Sequence, residues 1–145
     1  MPSGPTLFGP MPEPRRAAVV ALGVTAAVAL NLVVYAIGRA AGATYRFTSR
    51  GEPAEVDALT VAGFSAVPLL LGLSVVALLA PRAGWVATAA LIAGPFLAVA
   101  TVPLMTLAAD FDTASTAALA ICHLVLVPVI ILAVRRMRTP HPAAT

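Results

Sequence analysis

Four stretches of the chain, Ala17–Gly38, Ala58–Ala80, Ala83–Ala109 and Thr113–Val134, contain no Asp, Glu, Lys or Arg. Each reaches the roughly 20 residues that a helix needs to cross about 30 Å of hydrocarbon. A backbone placed in lipid must satisfy its own hydrogen bonds, so such a run becomes a helix or joins a closed barrel. Barrel strands would show segments of about 10 residues with alternating polarity, whereas these runs are apolar on every side. The sequence therefore predicts an all-α integral membrane four-helix bundle. Composition agrees: 10% of residues are charged, against about 25% in a soluble domain. That excludes ordinary cytosolic enzyme folds and disorder of the bulk of the chain.

The remaining segments divide the chain. Residues 1–14 hold five prolines and two glycines and read as a disordered lead. Residues 15–138 form the membrane domain, with spans about 17–38, 58–80, 83–109 and 113–134. Residues 139–145 read as a flexible tail. The first span exceeds the 7–15 residues typical of a signal-peptide core, and Pro14-Arg15-Arg16-Ala17 lacks the neighbours of a twin-arginine signal, so this helix is expected to stay. Only the 39–57 connection is long. The short connections place sequential helices side by side in an up-down-up-down bundle.

Charge sets the expected orientation. All nine basic residues are Arg, a bias typical of GC-rich bacterial genomes. With the N-terminus inside, Arg15, Arg16, Arg82, Arg135, Arg136 and Arg138 lie inside, and Arg39, Arg46 and Arg50 outside. Of the acids, Glu13 lies inside while Glu52, Glu55, Asp57, Asp110 and Asp112 lie outside, so the formal +3 divides into +5 inside and −2 outside. The Arg bias predicts both termini in the cytoplasm of a bacterial inner membrane. The arginines sit at span ends without a basic stripe, so nucleic acid is not an expected partner; the bilayer is. Trp85, Tyr35 and Tyr45 read as interfacial anchors.

Few polar groups lie inside the spans. His123 falls about ten residues into the fourth, roughly 15 Å deep, and Asn31, Ser65 and Thr101 fall at comparable outer-half depths, one per helix. An intramembrane ionisable residue marks a candidate site, because leaving it in lipid is costly. The same residue types also bridge helices at about 0.6 kcal/mol each. Both readings of the layer stand. At the outer mouth, Asn31, Tyr35 and Gly38 share one face of the first span, with Arg39 just beyond. Arg39 pairs with Asp110 or Asp112, or it snorkels without a partner. Two aspartates are too few for a calcium or magnesium site, so no metal is expected.

Pro68, Pro95, Pro103 and Pro128 each remove a helix donor. Gly38-x-x-x-Gly42 matches the small-residue packing pattern but contains Arg39 and ends the span. The lone Cys122 excludes an intramolecular disulfide, and beside His123 it makes no dyad, since adjacent helix residues diverge. Phosphate loops, nucleophile elbows and zinc helices are absent. A redox or lipid-modifying enzyme would need a cofactor that the sequence does not announce, so none is expected. Two readings follow. In the first, a non-enzymatic membrane protein packs with itself as a homo-oligomer or with a membrane protein partner. In the second, a small-molecule or proton pathway centres on His123.

The segment Asn31-Leu32-Val33-Val34-Tyr35-Ala36-Ile37-Gly38-Arg39-Ala40-Ala41-Gly42, together with Cys122-His123-Leu124 and Arg135-Arg136, resembles an uncharacterised family of small actinobacterial four-span membrane proteins with a domain of unknown function. The resemblance covers about residues 15–138. It implies architecture and a bacterial source, and brings no activity.

Overall fold

In the computed structural model, the structure describes residues 13–138. The expected lead and tail therefore lie outside the described residues, apart from Glu13 and Pro14, which open the first helix. Helix α1 runs Glu13–Ala40, α2 Ala58–Leu79, α3 Gly84–Thr101 and α4 Thr113–Met137. A π-helical turn, Val102–Thr106, extends α3. All four helices are long and apolar enough to cross a membrane. At most 28% of the residues in their most apolar windows are buried against protein. Large side chains such as Leu22, Phe64, Leu71, Trp85, Phe96 and Leu104 face outward. Apolar surface on this scale is unstable in water and suits a bilayer, so the fold is that of a multi-pass membrane protein.

Helix α1 is the hub, packing on α2 and on α4, while α4 carries α3 on its far side. Side-chain contacts run antiparallel: Asn31 meets Ser65, Gly23 lies against Ala133 and Gly94 against Ile130. Helices α2 and α3 touch little despite the short turn between them, so the spatial order is α3–α4–α1–α2. One core cluster, with Val20, Ala27, Leu73, Val134 and Met137, fills the end where α1 begins and α4 finishes. A second, around Ala43, Tyr45, Ala118 and Leu119, fills the opposite end.

Local chemistry sets the helix ends. Asp57 and Asp112 cap α2 and α4, their carboxylates accepting from the N–H of Thr60 and of Ser115, which are donors the first turn leaves free. Helix α1 closes with Gly42 at φ 93°. The Ala43 N–H donates to the Gly38 carbonyl (2.9 Å) and the Gly42 N–H to that of Arg39 (3.1 Å), the Schellman pattern. Pro103 lacks the N–H that would continue α3, and the Leu107 N–H instead bonds the Val102 carbonyl five residues back. A proline in an apolar helix thus converts the last turn to π geometry.

The long connection between α1 and α2 has structure beyond what an all-α reading predicts. Strands β1 (Arg46–Ser49) and β2 (Glu52–Glu55) pair antiparallel, Arg46 opposite Glu55 and Ser49 opposite Glu52. The two-residue loop between them has positive φ at both Arg50 (53°) and Gly51 (85°), as a type I′ hairpin turn requires.

Candidate functional site

The hairpin end, the Tyr45–Tyr35 stack and the Asn31–Ser65 pair follow one another as a column along α1. At its top, Asp112 is a hub. Its carboxylate accepts from the Ser115 N–H (2.8 Å) and hydroxyl (2.6 Å), and from the Thr44 N–H (3.1 Å) and hydroxyl (2.7 Å). Asp110 repeats the arrangement one residue pair away, accepting from the Thr48 N–H and hydroxyl, both at 2.7 Å. The two carboxylates clamp the first hairpin strand and its approach to the start of α4. Ser115 hydrogen bonds hold the Asp112 carboxyl well below the usual carboxylate range, helped by Thr44. Asp110 is lowered by the Thr48 N–H and then its hydroxyl. Both shifts are cases of donors stabilising the anion.

Below the clamp the chain turns inward. The Tyr45 N–H donates to the Ser115 hydroxyl (2.8 Å), and Tyr45 takes φ 57°, unusual for a residue with a bulky side chain. Its side chain is fully buried. The ring stacks on Tyr35 with centroids 4.5 Å apart, and the hydroxyl donates to the Tyr35 carbonyl (3.1 Å). Gly38 supplies the room. A Cβ there would collide with the Tyr45 hydroxyl and stand 2.8 Å from the Ala118 Cβ. The small-residue notch at Gly38 is therefore filled by the chain itself. Burial pushes the Tyr45 phenol up to about 12.

Further down, Asn31 is buried and its Nδ2 donates to the Ser65 hydroxyl (2.7 Å), which donates in turn to the Val61 carbonyl (2.7 Å). The Cys122 thiol points at the Asn31 carbonyl (3.8 Å). Asn31 Oδ1 is buried without a hydrogen-bond partner. His123 and Thr101 do not join this network. The His123 Nδ1–H donates to the Leu119 carbonyl one turn back (2.8 Å), and the Thr101 hydroxyl to that of Ala98 (2.8 Å). Each closes on its own helix. Of the four intramembrane residues singled out by depth, two meet and two stand apart.

Where α1 ends, Arg39 meets Glu55 (3.2 Å) and the Thr44 carbonyl (3.1 Å), not Asp110 or Asp112. Glu55 also receives Arg46 (3.4 Å). The carboxylates expected for Arg39 are already taken by threonine donors, and the hairpin brings Glu55 over the end of α1 instead. Tyr35 lies within the column under Tyr45. Among the described residues no three His, Cys, Asp or Glu side chains converge as a metal site would require.

Two arginines that the sequence reads only as orientation signals, Arg16 and Arg82, have hydrogen-bond partners at the opposite end. Ala77 lies four residues before Pro81, which has no N–H to donate, so its carbonyl is left free at the end of α2. Arg16 fills that role, its Nη1 donating to the Ala77 carbonyl (3.2 Å). Arg82 does the same for Leu78 (2.8 Å). Arg16 is only 3% exposed, although its sequence position reads as an orientation signal. Asp112 and Ser115, by contrast, carry a sequence signal: an acidic residue directly before an apolar run marks a helix start.

Residues 11–140 match the model of DUF6069, a family of unknown function, and the chain belongs to that family. No curated protein and no solved structure gives a significant match.

Proposed function

We propose that this chain is a non-enzymatic component of a bacterial cytoplasmic membrane, with both termini in the cytoplasm, that works by associating laterally with a second copy or with another membrane protein. The observation carrying this reading is that the four intramembrane polar residues each find a hydrogen-bond partner within the chain. Asn31–Ser65 ties α1 to α2, the Cys122 thiol ties α4 to α1, and His123 and Thr101 bond carbonyls of their own helices. A water or substrate file needs such groups turned toward one lumen. A pathway centred on His123 gains no support from a ring bonded to Leu119 and bonded to none of Asn31, Ser65 or Thr101. The Arg distribution supports the orientation, and the clamped hairpin then stands on the outer face as a rigid polar platform above apolar helices free to meet a partner.

Chemical crosslinking in native membranes, followed by purification in mild detergent and mass spectrometry, tests the association. The expected product is a discrete dimer or a stoichiometric complex; recovery as monomer alone overturns it. Orientation is read with a membrane-impermeant maleimide on Cys122→Ala chains carrying Ser49→Cys or Thr139→Cys. Labelling of the first and not the second in intact cells is expected, and the opposite pattern reverses the assignment.

A further inference from the structure

A groove of about 470 Å³ runs between the first half of α1 and the second half of α2. Val20, Ala21, Leu70, Ser74 and Leu78 line its sides, and Arg16 closes one end. Arg16 is nine-tenths buried, and only Nη1 is engaged, on the Ala77 carbonyl. Its Nε and Nη2 are buried with no hydrogen-bond partner. A guanidinium is a permanent cation with five donors, and leaving donors buried and unpaired is costly. Capping α2 would need Nη1 alone. The two idle nitrogens share the side-on edge of the guanidinium, the edge that grips two oxygens of a phosphate or carboxylate at once.

We infer that this groove is a binding site for one anionic phospholipid, its headgroup phosphate taken by Nε and Nη2 of Arg16 and an acyl chain laid along Val20, Ala21 and Leu70. The chemistry of the walls selects an amphiphile over a free anion. Apart from Ser74, the side chains along the groove are aliphatic, and the groove sits in a helix pair that crosses the bilayer. Charge selects an anionic lipid over a zwitterionic one: Arg135, Arg136 and Arg138 lie at the same end, where α1 begins and α4 finishes. Nε and Nη2 are covered, and the exposed Leu78 side chain, next to Ala77 on α2, turns aside to admit the headgroup. The site is independent of lateral association, because its residues come from one chain.

Native mass spectrometry of the delipidated full chain, with dioleoyl-phosphatidylglycerol, dioleoyl-phosphatidylcholine or inorganic phosphate added, tests the assignment. One phosphatidylglycerol is expected to remain bound per chain, with phosphatidylcholine and phosphate retained weakly. Arg16→Gln should lower phosphatidylglycerol occupancy about tenfold, the scale of losing charge-assisted hydrogen bonds. Arg15→Gln, one residue away and exposed, should leave it within about twofold, as a screened surface charge does. Ala21→Phe fills the groove from an exposed position with Arg16 intact, and should also expel the lipid; it decides the matter if Arg16→Gln does not fold. Equal retention of phosphatidylcholine, equal retention of phosphate, or wild-type occupancy in Ala21→Phe each overturns the assignment.

Discussion

The Tyr45 side chain occupies the notch that Gly38 leaves in α1, with its hydroxyl on the Tyr35 carbonyl at 3.1 Å. This fit helps anchor the connection from α1 to α2 between α1 and α4. The anchor requires a left-handed backbone at Tyr45, which costs of order 1–3 kcal/mol for a non-glycine residue. Ring burial, the Ser115 bond to its N–H and the stack on Tyr35 offset that cost.

Gly38→Ala should therefore destabilise the fold, by about 1–3 kcal/mol as overpacking does in a filled core. Tyr45→Phe removes only the hydroxyl bond and should cost about 1 kcal/mol. Denaturant titrations in detergent, followed by circular dichroism, measure both. In a Tyr45→Ala background the Gly38→Ala penalty should shrink markedly, because the colliding group is gone and only Ala118 remains close; an unchanged penalty would mean the notch is not where the strain arises.

The same burial sets an alkaline limit. The Tyr45 phenol is raised in the folded state to about 12 from about 10 in the unfolded chain. A raised pKa means that folding favours the protonated form. The contribution is complete below the unfolded value and is lost as pH rises from about 10 through about 12. Thermal midpoints should fall across that window in the wild type, and Tyr45→Phe should flatten the fall. Absorbance near 295 nm identifies the late-titrating tyrosine.

The uncharged runs made the four helices legible, because lipid leaves the backbone no alternative. The caps at Asp57 and Asp112 carry a signal, acids immediately before apolar runs, yet these residues read only as loop charges and, for Asp112, as a partner for Arg39. The hairpin was not legible. Its strands have four residues each, and Arg50-Gly51 is a weak turn signal beside Asn-Gly. Tyr45 read as an interfacial anchor since nothing local announces positive φ at a tyrosine. Arg16 read as a topology mark because its partner carbonyl is freed by Pro81, 65 residues later. The spatial order α3–α4–α1–α2 likewise depends on packing that loop length alone does not decide. Equal depth suggested a four-residue polar layer, yet depth says nothing about rotation. Asn31 and Ser65 face each other, and His123 and Thr101 do not face them.

Acid should release the clamp formed by Asp110 and Asp112. The Asp112 carboxyl is held well below its usual range by Ser115 and Thr44, and Asp110 is lowered by Thr48. A depressed pKa means the stabilisation is present above the unfolded value of about 3.9 and is lost as pH falls below it toward the folded value. Asp112 also caps α4, so Asp112→Asn should lower the thermal midpoint more than Asp110→Asn. Each substitution should reduce the acid-side fall seen in the wild type, and a double variant showing the full wild-type fall would remove these two groups as its origin. Amide exchange should report loss of hairpin protection before loss of helix.

The Asn31–Ser65 bond offers the sharpest test of the polar layer as helix glue. Its 2.7 Å geometry is good, but Asn31 Oδ1 is left without a partner, so the pair brings a cost along with its gain. Intramembrane hydrogen bonds average about 0.6 kcal/mol and reach about 1.7 in measured cycles. A cycle of Asn31→Leu, Ser65→Ala and the double variant should give a coupling within that range. Ser65→Ala alone should be the more damaging single change, since it strands Asn31 Nδ2 as well as Oδ1 in a dry interface. Asn31→Leu removes both polar atoms together and leaves Ser65 its bond to the Val61 carbonyl. Reversal of that order in denaturant titrations would show that Asn31 finds another partner when Ser65 is gone.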